Sequence, residues 1–178
     1  MIKRLLSVPV LLLVGHLVLG QYMADNPRVT GVEGLYQAGE RAYRSGDNAA
    51  AITLFDQVLE QDTAHVNALL QRGFCHSLLG SYADAIVDFS AVIAQKSDHI
   101  WAYTSRGSAY NKLGKNDLAI ADFTTVLELD PKNEEAYNNR GWAHKAAGDP
   151  VAACNDWKAS KRMGNAEAKI ILTNNRCK

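Results

Sequence analysis

Apolar and polar positions recur along this chain with a period of 34 residues. The segments 32–65, 66–99, 100–133 and 134–167 align without insertion or deletion. In every segment, positions 8 and 15 are glycine, position 20 is alanine and position 24 is a large aromatic residue. These residues are Gly39, Gly73, Gly107 and Gly141; Gly46, Gly80, Gly114 and Gly148; Ala51, Ala85, Ala119 and Ala153; Phe55, Phe89, Phe123 and Trp157. Such a period indicates a repeat architecture.

Within each segment the pattern predicts two antiparallel helices. Positions 4, 8 and 11 lie on one face of a first helix, because they are spaced by four and then three residues. Position 15 ends that helix, since glycine accepts the left-handed conformation without strain. A mid-helix glycine costs about 1 kcal/mol relative to alanine, so position 8 is expected to allow close approach of the second helix. We expect the small alanine at position 20 of the second helix to be the counterpart of this glycine. The hairpins are expected to stack, because one hairpin cannot bury its apolar face alone.

The period, with a large residue at position 4, small residues at 8 and 20, an aromatic residue at 24 and proline at 32, resembles the tetratricopeptide repeat. Pro131 supplies the proline in the third segment, whereas Thr63, Ser97 and Asn165 occupy that position elsewhere. The resemblance implies an all-α solenoid of four 34-residue helix-turn-helix repeats, with the first helices lining an inner face. Ser160 replaces the valine of the other segments, which suits a terminal repeat with a different neighbour.

A capping helix is predicted after the fourth repeat. Gly164 ends the preceding helix, and Asn165 is a candidate N-cap for a further helix that extends to about Thr173. Ile170 and Ile171 are expected to give this helix an apolar side that closes the end of the stack. Residues 168–178 then hold the remainder of the capping helix and a tail.

The amino-terminal residues read as a targeting segment. Lys3 and Arg4 precede a run over 5–20 without a charged residue. At about 1.5 Å per residue, this run is short of the roughly 30 Å hydrocarbon core of a bilayer. The small residue Gly20 suits a cleavage site, so the sequence predicts a signal peptide over 1–20 and a linker over 21–31. The expected location is periplasmic or secreted; the alternative is an uncleaved membrane anchor over 5–20.

Composition and motifs exclude several classes of function. A formal net charge of +0 and a pI of about 7.0 argue against a nucleic-acid-binding protein. The sequence holds no nucleophile elbow, phosphate-binding glycine loop or HExxH motif, so we expect neither catalysis nor a cofactor. Histidines at equivalent positions of neighbouring repeats are roughly 16–20 Å apart. None can share a metal ion, whose ligands lie about 2 Å away.

Charged residues also recur with the period. Position 7 is arginine and position 23 is aspartate in the last three repeats, whereas the first repeat has Ala38 and Leu54 there. Their joint presence and joint absence predicts an ion pair within each repeat, which contributes about 0–1 kcal/mol if it is partly exposed. Two independent surface charges are the alternative. The residues are Arg72, Arg106 and Arg140 with Asp88, Asp122 and Asp156.

Positions 2, 5, 9 and 12 form a separate stripe on the first helices. Rings among amides and hydroxyls suit an extended peptide, because rings offer contact area and amides satisfy its backbone. The alternative is that the linker, the C-terminal tail or a second copy of the chain covers these rings. The predicted partner-binding residues are Tyr36, Glu40, Leu70, Phe74, Trp101, Thr104, Asn111, Asn138, Trp142 and Lys145.

The resemblance also allows one partner class to be tested on the residues. Binders of chaperone tails in this family share a carboxylate clamp of lysine, asparagine and arginine on the inner face. The matching positions here are Tyr36, Glu40, Gln71, Trp101 and Ser105, and none of them fits. The sequence therefore predicts an exported, non-catalytic protein that binds a protein or peptide of unknown identity. The alternative is an accessory or receptor component that binds a small ligand or glycan, since tryptophan also stacks on sugars.

The three cysteines permit one plausible disulfide. Cys75 lies several helix layers from the others, and at about 8–10 Å per layer it exceeds the roughly 7 Å limit on Cα separation in a disulfide. An antiparallel return of the capping helix brings Cys154 and Cys177 to similar height. Their bond would close a loop of about 24 residues and stabilise the fold by roughly 3 kcal/mol in an oxidising compartment. Three unpaired thiols are the alternative.

Overall fold

The computed structural model describes residues 31–177. Every regular element in this range is a helix, which confirms the predicted all-α class. The predicted signal peptide over 1–20, the alternative anchor over 5–20, the linker except Gly31, and Lys178 lie outside the described residues. The described residues form two compact units, which meet in sequence between Thr63 and Ala64. We call them the first unit and the second unit.

The first unit is one helix hairpin, formed by α1 (Gly31–Arg44) and α2 (Asn48–Gln61). Helix α1 begins at Gly31, the residue that the sequence assigned to the end of the linker. The Asp47 carboxylate accepts a hydrogen bond of 3.1 Å from the backbone N–H of Ala50 and so caps α2. Ala38 and Leu54, which replace the arginine and aspartate of the other repeats, are both buried.

The second unit contains three stacked hairpins and a short last helix. Within each pair the helices pack together, α4 also packs on α5 and α6 on α7, and α9 packs on α8. This confirms the predicted succession of helix pairs and the capping helix. The hairpins are α3 (Val66–Leu78) with α4 (Tyr82–Gln95), α5 (Ile100–Lys112) with α6 (Asn116–Leu129), and α7 (Glu134–Ala146) with α8 (Pro150–Met163), followed by α9 (Ala168–Asn174).

The mid-helix glycines allow an aromatic ring to lie against the first helix of each hairpin. A Cβ atom on Gly141 would lie 2.5 Å from Nε1 of Trp157, and one on Gly107 would lie 3.0 Å from Cε1 of Phe123. The expectation that the alanine at position 20 is the counterpart of this glycine is therefore wrong. Ala119 instead forms a buried cluster with Phe123 and with Ala143 of the next hairpin. Ala119 therefore serves the stacking between these two hairpins.

The helix ends follow the repeat as well. The glycines at position 15 have φ between 71° and 87°. This is the left-handed backbone conformation that was predicted for the residue that ends each first helix. Position 34 caps the next first helix: Nδ1 of His65 accepts from the N–H of Ala68 at 3.1 Å, and Nδ1 of His99 accepts from Ala102 at 3.2 Å. Asn133 caps α7 in the same way. These two histidines are helix caps, a role that the sequence reading did not assign.

The last helix differs from its prediction at the start. Oδ1 of Asn165 accepts from the N–H groups of Glu167 and Ala168, at 2.9 and 3.2 Å. Because this interaction holds 166–167 in a turn, α9 begins at Ala168 and not directly after Asn165. Ala168 is buried, whereas Ile170 is 63% exposed, so Ile170 is not part of the apolar side that was expected.

Two further contacts close the end of the second unit. A disulfide joins Cys154 in α8 to Cys177 beyond α9, with a Cα–Cα distance of 5.5 Å, as predicted from the repeat geometry. Ser160 is fully buried, and its hydroxyl donates to the backbone oxygen of Glu134 at 2.8 Å. This hydrogen bond explains how a serine occupies a site that holds valine in the other hairpins.

Candidate functional site

The recurring arginines and aspartates form the predicted ion pairs. Each arginine donates through Nε and Nη2 to both carboxylate oxygens, for example at 2.9 and 2.7 Å from Arg106 to Asp122. The side chains of Asp122 and Arg106 are 6% and 18% exposed. The hydrogen bond to Asp122 raises the pKa of Arg106, and the one to Asp156 raises the pKa of Arg140. The same bidentate geometry joins Arg72 to Asp88 and Arg140 to Asp156.

These arginines also connect successive hairpins of the second unit. Nη1 of Arg106 donates to Oγ of Ser90 on α4, and Nη1 of Arg140 donates to Oγ1 of Thr124 on α6, both at 3.0 Å. The Arg106 guanidinium also lies 5.5 Å from the ring centre of Tyr103. These arginines therefore link a first helix to the second helix of the preceding hairpin, and their guanidinium groups are engaged within the protein.

The first helices of the second unit border an open cavity of about 350 Å³. We call it the inner cavity. Its walls come mainly from α3 and α5, with Tyr82 at the start of α4 and Glu135 at the start of α7. The lining residues on α3 are Phe74, Ser77 and Leu78, and those on α5 are Trp101, Thr104, Ser105, Ser108, Ala109 and Lys112.

Large apolar side chains line the inner cavity without being buried. Trp101 is 64% exposed and Leu78 is 63% exposed. The ring of Phe74 is held in place by Phe89, with ring centres 5.5 Å apart in a tilted arrangement. A supported ring that faces exposed apolar side chains offers a preformed contact surface, of the kind that marks an interaction site.

The predicted partner-binding residues separate into groups. Phe74, Trp101 and Thr104 line the inner cavity together. Leu70, Asn111 and Asn138 lie on the same first helices but are not among its lining residues. Tyr36 and Glu40 belong to the first unit, where the Tyr36 hydroxyl donates to Glu40 at 3.2 Å.

Trp142 and Lys145 lie at the C-terminal end of the second unit. The ring centres of Trp142 and Trp157 are 5.0 Å apart, and Nζ of Lys145 lies 5.1 Å from the Trp142 ring centre. The same Nζ donates to Oδ1 of Asn175 at 2.6 Å. Asn175, which follows α9, thus contacts Lys145, one residue of the stripe.

Tyr82, Leu78 and Lys112 are lining residues that the sequence reading missed. Leu78 and Lys112 are the last residues of α3 and α5, and Tyr82 is the first residue of α4. They fall outside the periodic stripe because they flank the turns of the hairpins. Apolar residues close to the turn glycines, such as Leu78 before Gly80, are the signal that the sequence offers.

Trp101 also lines a second recess, of about 470 Å³. Three of its polar residues serve the helix ends: His99 and Asn133 cap α5 and α7, and Oδ2 of Asp130 accepts from the side chain of Asn133 at 3.2 Å. Because these groups already have internal partners, we do not assign this recess a ligand.

Residues 31–177 also bear on metal binding, membrane spanning and cysteine reactivity. No group of three or more His, Cys, Asp or Glu side chains in this range could hold a metal ion. No helix in this part of the chain combines the length and apolar character needed to cross a bilayer. Desolvation by burial raises the pKa of the Cys75 thiol to about 11, so this cysteine is not a reactive nucleophile at neutral pH.

Comparison with known families supports the repeat reading. Residues 36–99 match a family model described as "Tetratricopeptide repeat", and residues 107–148 match one described as "TPR repeat". The curated proteins yield no match.

Solved structures resemble the fold over most of the chain. The structure titled "MamA 41-end from Desulfovibrio magneticus RS-1" is 24% identical, with a TM-score of 0.74 and coverage of 81% of each chain. A second structure, "Crystal structure of MamA", is 23% identical with a TM-score of 0.74 and covers 84% of this chain and 86% of that one. The "First TPR of Spaghetti (RPAP3) bound to HSP90 peptide SRMEEVD" is 26% identical with a TM-score of 0.63, and covers 66% of this chain and 93% of that one.

Proposed function

The chain is a tetratricopeptide repeat protein, and from that premise we propose that it is a non-catalytic protein–protein interaction module whose inner cavity binds an extended peptide. The RPAP3 domain, to which it is similar, is bound to a peptide. That similarity supports a peptide as the partner. The contacts proposed for the peptide come from the residues that line the cavity of this chain and not from that structure.

The observation that carries the proposal is the exposure of Trp101 beside Phe74 and Leu78. A tryptophan that is 64% exposed and faces an apolar cavity leaves a large contact surface open to water. Aromatic residues of this kind contribute most of the binding energy in many interfaces. The hydroxyls of Ser77, Ser105 and Ser108 line the same cavity and can satisfy the backbone groups of an extended peptide.

We expect Trp101→Ala to weaken peptide binding by about tenfold or more, the loss typical of a central aromatic contact. The measurement is fluorescence polarisation with labelled peptides of about seven residues, selected on the unaltered protein from a random array. Circular dichroism should remain unchanged because Trp101 packs little against the rest of the fold.

Leu118→Ala is the matched control for this experiment. Leu118 lies on α6, is 49% exposed and does not line the inner cavity, so its removal should leave affinity unchanged. Equal affinity of the Trp101→Ala variant and the unaltered protein would contradict the proposal. Binding of glycans or small ligands, with no peptide bound at all, would favour the accessory or receptor function instead.

We further propose that the protein is exported to the periplasm or secreted, on the basis of Lys3, Arg4 and the apolar run over 5–20. Mass spectrometry of the protein from its native host should then show a mature chain that begins at Gln21. Intact chain in a membrane fraction would indicate the uncleaved anchor over 5–20. Intact chain in the cytoplasm would contradict both forms of export.

A further inference from the structure

The inner cavity carries two charged side chains for which residues 31–177 supply no partner. The recurring arginines, such as Arg106 and Arg140, pair with aspartates, and Lys145 donates to Asn175. Among the lining residues, only Lys112 and Glu135 carry a formal charge. Within residues 31–177, neither of these two side chains forms a hydrogen bond or an ion pair.

These two charges lie at opposite ends of the inner cavity. Lys112 is the last residue of α5, whereas Glu135 is the second residue of α7. Both helices are first helices of successive hairpins and run in the same direction, so Glu135 is level with Trp101 at the start of α5. Eleven residues separate Trp101 from Lys112, which corresponds to about 16 Å along the helix.

The distance between the two ends matches a short extended peptide. An extended chain advances about 3.3 Å per residue, so about five residues span the cavity. Its central part faces the apolar side chains of Phe74, Leu78 and Trp101. The ends of the peptide would meet a carboxylate at one side and an ammonium at the other.

From this arrangement we propose that the inner cavity selects an extended peptide of mixed charge. The peptide has an apolar centre, a basic side chain at the Glu135 end and an acidic side chain at the Lys112 end. This inference rests on the proposed function, since it assumes that the inner cavity binds peptides. It differs from a carboxylate clamp because it uses one cation and one anion on opposite ends of the cavity.

Synthetic peptides of about seven residues with one shared apolar centre test the inference. Their ends carry lysine and glutamate in both orders, two lysines, two glutamates or two glutamines. The unaltered protein should prefer one mixed-charge peptide over either like-charged peptide, by about twofold to fivefold for each mismatched end, as for partly exposed ion pairs. This preference should decrease as salt is raised.

Charge reversal on the protein sharpens the test. The Lys112→Glu variant should prefer the peptide with two lysines, and Glu135→Lys should prefer the one with two glutamates. The double variant should prefer a mixed-charge peptide again, in the opposite order. Lys115→Glu is the control, because Lys115 is exposed and does not line the inner cavity. This variant should rank the peptides in the same order of affinity as the unaltered protein.

The outcomes distinguish this inference from the proposed function. If all variants rank the peptides alike while Trp101→Ala still weakens binding, charge does not select the peptide and only this inference is overturned. If no peptide binds in a Trp101-dependent way, both are overturned. A ranking that follows the charge reversals supports both.

Discussion

Arg106→Ala should lower the free energy of unfolding by about 3–5 kcal/mol, the loss typical when one partner of a buried ion pair is removed. The variant leaves the Asp122 carboxylate without its two hydrogen bonds from Arg106, in a side chain that is only 6% exposed. It also removes the hydrogen bond to Ser90 on the preceding hairpin. The sequence alone predicts about 0–1 kcal/mol for such a pair if it is partly exposed, and the burial of Asp122 is the reason for the larger value expected here.

The first unit shows how the loss can be offset. Its hairpin has Ala38 and Leu54 at the two equivalent positions, and both are buried. The double variant Arg106→Ala with Asp122→Leu reproduces this apolar pair. It should recover most of the lost stability, because no charge is left buried and unpaired. We expect incomplete recovery, since the hydrogen bond to Ser90 remains absent.

Urea unfolding followed by circular dichroism measures both effects. Glu128→Ala on α6 is the control; Glu128 is exposed, and its replacement should change stability by no more than about 0.5 kcal/mol. A loss below about 1 kcal/mol for Arg106→Ala would show that the pair acts as an ordinary surface ion pair. Failure of the double variant to recover any stability would contradict the interpretation that an unpaired buried charge causes the loss.

The repeat made most of the fold predictable from the sequence. Four copies of one pattern place each glycine, alanine and aromatic residue in the same structural role, and the joint absence of arginine and aspartate in the first repeat marked the pair. What the pattern could not distinguish is which neighbour each small residue faces. Gly107 contacts the Phe123 ring of its own hairpin, whereas Ala119 contacts Ala143 of the next. That difference depends on how the helices cross and not on their spacing in sequence.

The candidate site was predictable only in part. Helical spacing identifies the face that holds Phe74, Trp101 and Thr104, because residues three and four apart share a face. It does not identify Lys112 or Tyr82, which flank the turns of two different hairpins and line one cavity only when the hairpins stack. The contact between Lys145 and Asn175 depends on the path of the tail after α9, for which the sequence has no periodic signal.

Loss of the disulfide should be the second large effect. Reduction of the protein, or the double variant Cys154→Ala with Cys177→Ala, should lower the free energy of unfolding by roughly 3 kcal/mol, because a loop of about 24 residues regains its freedom in the unfolded chain. The bond holds the segment that follows α9 against α8, and Ala168 is the buried contact of this last helix. The denatured, non-reduced mature protein should show one free thiol, that of Cys75.

The double cysteine variant is also the control for the reductant. Reductant should lower the urea midpoint of the unaltered protein and leave that of the variant unchanged. Three free thiols in the non-reduced protein, or equal midpoints with and without reductant, would contradict a stabilising bond. Peptide binding should survive in the variant, because neither α9 nor the tail lines the inner cavity. If the variant is less stable but binds peptide through Trp101 with unchanged affinity, the disulfide stabilises the C-terminal end of the fold and does not contribute to peptide binding.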